Sequence, residues 1–108
     1  MEIDGVSQST GDDLVVEVGA DELGVLLVVR DRGGVGERGR VVAAADPLAA
    51  VLADRLAGPQ VLPGQQPGGE RSLHIEVRRN EVLLTVGGAD AAVGLDDLMD
   101  AVASASPA

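Results

Sequence analysis

The chain contains no phenylalanine, tyrosine, tryptophan, cysteine or lysine, and its single histidine is His74. Without cysteine it can form neither a disulfide framework nor a thiolate metal site, and a lone histidine cannot supply two imidazole ligands. The missing thiol, amine and phenol groups remove most of the usual nucleophiles and general acids. No Phe, Tyr or Trp ring is present on which a base could stack. These absences predict a protein that is not an enzyme, holds no metal or cofactor and binds no nucleic acid.

Long hydrophobic runs are also missing. The longest run of large aliphatic residues, Val25 to Val29, is far shorter than the roughly 20 residues that a membrane span requires. The first four residues, Met1 to Asp4, are acidic where a signal peptide would be basic. The sequence therefore predicts a cytoplasmic protein that does not associate with membranes.

The chain is instead rich in acidic residues and in small aliphatic residues. Its formal net charge is −10, and all eight of its cations are arginines within residues 23–79, so acidic segments flank a faintly basic middle. Such a charge distribution repels phosphate backbones and attracts basic partners, although it also simply promotes solubility. The 17 valines favour strands, because branching at Cβ suits a pleated surface.

Apolar periodicity predicts one α+β domain over residues 13–104. Strands are expected at 14–18, 23–30, 40–45, 73–78 and 82–86, and helices at 46–57 and 95–104. Asp46 is the expected N-cap of the first helix and Pro47 its first residue. Segments 1–12 and 105–108 are predicted to be mobile tails, and the Gly/Pro/Gln-rich segment 58–71 a flexible loop.

The resulting order, βββα–ββα, predicts a five-stranded, mainly antiparallel sheet with both helices on one face. It resembles the last seven elements of the secretion-chaperone fold, whose members are small, acidic and often dimeric. The leading helix of that fold has no counterpart in residues 1–12. The resemblance is one of element order alone and implies a binding role without specifying a partner.

The two hairpins of this order are similar in sequence. Residues 14–23 align with residues 73–82 without a gap, and four of the ten positions are identical. An internal repeat explains the similarity. Chance explains it as well, because two amphipathic hairpins share apolar alternation by construction.

The segment 31–40 carries the one motif with a ligand chemistry. Residues 34–39 match the pattern G-x-G-x-x-G, but no helix begins at these glycines as a dinucleotide site requires. Arginines beside exposed glycine amides can bind phosphate or carboxylate. An alternative function is therefore a small-molecule or phosphate-binding regulatory domain, with an anion site formed by Arg32, Gly34, Gly36, Arg38 and Arg40.

The leading functional prediction is a protein–protein interaction module, chaperone-like or adaptor-like, that forms a dimer or binds a different protein. It rests on the sheet face turned away from the helices, which should be semi-apolar, as interfaces often are. The predicted interface residues are Val15, Glu17, Val42, His74, Glu76 and Leu83. A further alternative is an antitoxin-like or immunity-like protein that neutralises a basic partner.

Overall fold

The computed structural model describes residues 1–33, 36–54, 58–64 and 72–105. Within these residues the chain forms eight strands and two helices. In chain order these are β1 (Glu2–Val6), β2 (Asp13–Asp21), β3 (Gly24–Asp31), β4 (Glu37–Ala43), α1 (Ala45–Asp54), β5 (Pro59–Pro63), β6 (Ser72–Arg78), β7 (Glu81–Val86), β8 (Ala89–Gly94) and α2 (Leu95–Ala105).

All eight strands belong to one antiparallel sheet with the order β4-β3-β2-β1-β8-β7-β6-β5. The chain thus runs through two consecutive ββββα halves, joined where β1 pairs with β8 at Gly5↔Val93 and Val6↔Ala92. At the opposite edges an isolated bridge joins Ala43 to Gly64. The sheet is therefore nearly closed into a barrel.

The predicted five-stranded sheet is wrong, because three strands give weak sequence signals. β1 has only Ile3 as a large inward side chain, β5 is bounded by two prolines, and half of β8 is alanine. Strand β1 lies within the predicted tail 1–12 and strand β5 within the predicted loop 58–71. Ala105 ends α2, while residues 65–71 and 106–108 lie outside the described residues. The resemblance in element order to the secretion-chaperone fold depended on the five-strand order and is withdrawn with it.

The core lies on the inner face of this curved sheet. Inward side chains of the strands form one cluster with the buried residues of both helices, including Leu48 and Leu52 of α1 and Leu98 and Val102 of α2. Strict alternation is visible in β2, where Leu14, Val16 and Val18 are buried and the residues between them are half-buried. Each fully buried Leu or Val contributes roughly 1.5–3 kcal/mol, so many aliphatic side chains replace the missing aromatic ones.

Both helices occur where the sequence predicts them, with a shift at one start. Helix α2 matches its prediction to within one residue. Helix α1 begins at Ala45, and the amide of Leu48 donates to the carbonyl of Ala44 at 3.2 Å. Asp46 therefore lies in the first turn and is not the N-cap. No helix in the described ranges is long and apolar enough to cross a membrane.

The two similar hairpins occupy equivalent positions, as the second and third strands of each half. Register pairs Asp21 with Gly24 and Arg78 with Glu81, so each turn has two residues. Arg79, in the second turn, has a φ of 41°. The two turns, at residues 22–23 and 79–80, are therefore equivalent in the structure. The gapless sequence alignment instead matches residue 22 with residue 81, so the two correspondences differ by two residues.

Candidate functional site

The six predicted interface residues all lie on the outer face of the sheet but do not form one patch. Glu17 faces Val28 across β2 and β3, whereas Glu76 faces Leu83 across β6 and β7. Strands β1 and β8, which the sequence analysis did not predict, lie between these two groups. Val15 and Glu17 are therefore separated from His74, Glu76 and Leu83, while Val42 lies on the edge strand β4 and is only 7% exposed.

A single row of mostly apolar side chains does cross the outer face from β1 to β5. Register aligns Val6, Ala92, Leu83, Glu76 and Pro59 from β1 to β5. The neighbouring row holds Asp90, Thr85, His74 and Val61. Val6 is 40% and Val61 59% exposed, while Ala92 is buried. The surface is thus a narrow strip and not a broad hydrophobic face.

The arginines of the proposed anion site are each held by carboxylates. Arg32 pairs with Asp4, and Arg40 pairs with Glu37 at 2.8 Å. Arg38 pairs with Asp31 and, at 3.3 Å, with Asp12. Their positive charge is therefore largely compensated within the chain, although exposed pairs of this kind contribute little to stability.

The same contacts shift two ionisation equilibria. Hydrogen bonds to Asp31 and then Asp12 raise the pKa of the Arg38 guanidinium above its usual range. The hydroxyl of Thr10, followed by Arg38, donates to Asp12 and lowers the pKa of its carboxyl. Both shifts favour the charged forms, which stabilises the pairing.

Only the last three residues of the glycine motif, 37–39, lie in a β-strand among the described residues. Gly34 lies outside the described residues, Gly36 is exposed with open space around it, and Gly39 lies within β4. A Cβ added at Gly39 would stand 2.5 Å from the carbonyl oxygen of Val86. The last glycine of the motif thus permits the inner face of β4 to approach β7 closely.

A polar cluster fastens β1 to β8. The carboxylate of Asp90 accepts hydrogen bonds from the backbone amides of Gln8 at 2.8 Å and Ser9 at 3.1 Å, and from both hydroxyls of Ser7 and Ser9. The Ser9 hydroxyl makes the largest contribution to lowering the pKa of Asp90, which the other donors lower further. The hydrogen-bond donors of the turn at residues 7–9 are therefore directed at a carboxylate of the chain itself.

The chain's single histidine, His74, lies on the outer face of the second half. It is exposed on β6, and the carboxylate of Glu76 on the same strand pairs with Arg78. Among the described residues there is no group of three His, Cys, Asp or Glu side chains that could hold a metal ion.

An apolar groove of ≈ 180 Å³ runs between α1 and α2. Leu52 and Val102, both 2% exposed, contribute to its lining, and Met99 is partly buried beside them. Three alanines, whose side chains are exposed, complete it: Ala49, Ala53 and Ala103.

On each helix an aspartate lies on the same face as the residues that line the groove. Asp46, Ala49 and Ala53 are spaced i, i+3 and i+7 along α1, and residues 96, 99 and 103 repeat this spacing along α2. The helices carry the exposed aspartates 46, 54, 96, 97 and 100. Within the described part of the chain none of these five carboxylates forms an ion pair. Arg55, the next residue after α1, lies outside the described residues.

The sequence analysis missed this groove, although a signal for it exists. An offset of 50 residues superimposes the two helical sequences and matches Asp46 with Asp96, Leu48 with Leu98 and Ala53 with Ala103. The six lining residues are equivalent in pairs under this offset. The groove is therefore formed by corresponding positions of the two halves.

In comparisons with models of protein families, with curated proteins and with solved structures, nothing matches the chain.

Proposed function

We propose that this chain is a non-catalytic protein-binding domain whose partner is basic. The observation that carries the proposal is the separation of its charges. Five arginines (30, 32, 38, 40 and 78) are ion-paired with acids of the chain itself. The aspartates of α1 and α2 have no such partner among the described residues.

Uncompensated charge of one sign on one surface has a direct physical consequence for binding. It accelerates the encounter with a partner of opposite charge and disfavours partners of like charge. The groove beside these aspartates adds apolar area, which supplies affinity when it is removed from water. This combination suits a chaperone-like, adaptor-like or antitoxin-like role.

The alternative of a phosphate-binding regulatory domain has weaker support. Arg32, Arg38 and Arg40 would have to exchange their carboxylate partners for the ligand. Gly36 and Gly39 do not begin a helix whose amides could meet a phosphate. We therefore favour the protein-binding function.

The test is to identify a partner and measure its binding as salt is varied. Tagged protein is used to isolate binders from cells of its source, and the retained protein is then purified and titrated calorimetrically. We expect a stoichiometric complex with a basic protein whose Kd weakens as ionic strength rises from about 50 to 300 mM, since screening reduces surface attraction. Failure to find any saturable protein partner at the lower salt concentration would contradict the proposal.

A further inference from the structure

We infer that the groove between α1 and α2 is a docking site for a basic amphipathic helix of the partner protein. This inference rests on the proposed function and deepens it by naming the surface and the form of the partner. The groove is lined by apolar residues of both helices, and every charged residue of α1 and α2 is an aspartate.

Backbone chemistry selects a helix as the occupant. The exposed faces of α1 and α2 have their backbone amides and carbonyls bonded within each helix, so they offer no ladder to an extended peptide. An occupant removed from water here must satisfy its own backbone groups, as a helix does. Docking of an amphipathic helix into an apolar groove is one of the recurring modes of peptide recognition.

Side-chain size and charge specify the occupant further. Ala49, Ala53 and Ala103 line the groove with methyl groups, which allows a third helix to come close to α1 and α2. The groove volume of ≈ 180 Å³ is large enough for aliphatic side chains from the apolar stripe of the docking helix. The aspartates at positions 46, 96 and 100 lie on or next to the groove stripes and complement Lys or Arg at the flanks of that helix.

A peptide probe tests the inference directly. The probe is a synthetic helix of about four turns with Leu at i, i+3, i+4 and i+7, Lys on the remaining faces and one Trp. Because the protein contains neither Trp nor Tyr, the fluorescence of the probe is measured without background from the chain. We expect saturable binding of one probe per chain. A probe with Glu in place of Lys, and a scrambled probe of the same composition, should bind at least about tenfold more weakly.

Two protein variants separate docking from simple charge attraction. A53E places a carboxylate in the groove, and A50E adds the same charge at an exposed residue of the same helix that does not line it. We expect A53E to weaken probe binding at least about tenfold, because it puts a charge into the apolar contact, and A50E to leave it unchanged or tighter. Equal affinities for A53E and A50E, with unchanged circular dichroism, would overturn the docking site.

A second measurement keeps the inference distinct from the proposed function. D96N/D100N should weaken probe binding while leaving α2 folded, and the isolated partner should respond to A53E as the probe does. If the partner binds A53E and wild type equally, the groove is not its docking site, but the protein-binding function stands. If no partner is found at all, the proposed function fails irrespective of the probe.

Discussion

The carboxylate of Asp90 accepts a hydrogen bond from the buried hydroxyl of Ser7 at 3.1 Å, although the two residues are 83 positions apart. This contact closes the junction of the two ββββα halves, where β1 and β8 share only two register pairs. The junction on the other side of the sheet is formed by the single bridge between Ala43 and Gly64. Asp90 thus reinforces the connection on which the continuity of the eight-stranded sheet depends.

Replacing Asp90 by alanine is expected to destabilise the protein by about 2–3 kcal/mol. The substitution removes an acceptor of several hydrogen bonds and leaves the Ser7 hydroxyl, in a residue that is 2% exposed, without its carboxylate partner. The measurement is urea denaturation followed by far-UV circular dichroism. Asp13→Ala is the control, because this exposed acid makes no side-chain hydrogen bond or ion pair among the described residues and should change stability by at most about 0.5 kcal/mol. Equal effects of the two substitutions would contradict the role given to Asp90.

The same carboxylate predicts a pH dependence. Hydrogen bonds from Ser9, Gln8 and Ser7 lower the pKa of Asp90 in the folded state relative to about 3.9 in an unfolded chain. Its contribution is therefore fully present above the unfolded pKa and is lost as the pH falls through the folded pKa. We expect the stability difference between wild type and D90N to be constant near neutral pH and to shrink below about pH 4. Asp12, whose pKa is also lowered, is common to both proteins, so a difference that is independent of pH would exclude Asp90 as the source.

Two glycines of the G-x-G-x-x-G segment should respond differently to alanine. Gly39→Ala would bring a Cβ to 2.5 Å from the Val86 carbonyl oxygen, and overpacking of this kind costs about 1–3 kcal/mol. Gly36→Ala meets nothing within 4 Å and should be neutral or slightly stabilising. Thermal unfolding of both variants gives the comparison. A stable Gly39→Ala protein would show that β4 does not approach β7 as closely as described.

Phosphate and ATP are expected to leave the melting temperature unchanged. The guanidinium groups of Arg32, Arg38 and Arg40 are already paired with carboxylates, and a phosphate would have to displace them. Thermal scans at low ionic strength, with and without each ligand, test this. An increase of several degrees that disappears in R38A would instead support the regulatory-domain alternative.

Self-association through the outer face remains a prediction, and Leu83 is the residue that tests it. Leu83 lies in the apolar row between Ala92 and Glu76 and is already half-buried within one chain. L83D therefore lowers stability somewhat even in a monomer, so light scattering at several concentrations is the decisive measurement. If this face forms a dimer, wild type should dissociate on dilution and L83D should be monomeric at all concentrations. Wild type that scatters as a monomer at high concentration would exclude such a dimer.

The sequence by itself determined the elements whose periodicity is strong and local. Helix α2 was predictable because Leu95, Leu98 and Val102 repeat at helical spacing, and β6 because Leu73, Ile75 and Val77 alternate with polar residues. The inward and outward faces of these elements followed from the same spacing. The register in which the strands pair did not follow from the sequence. Alternation has a period of two, so shifting a strand by two residues leaves the same side chains on the inner face.

Tertiary structure alone decided the number of strands and the candidate site. Strands β1, β5 and β8 are short and rich in Gly, Pro or Ala, so their propensity is low, and pairing with neighbouring strands stabilises them. The groove exists only because the two halves place α1 beside α2, which brings together Ala53 and Ala103 from positions 50 residues apart in the sequence. Local periodicity records which face of an element avoids water, whereas the partner that covers this face is chosen by long-range packing of the whole chain.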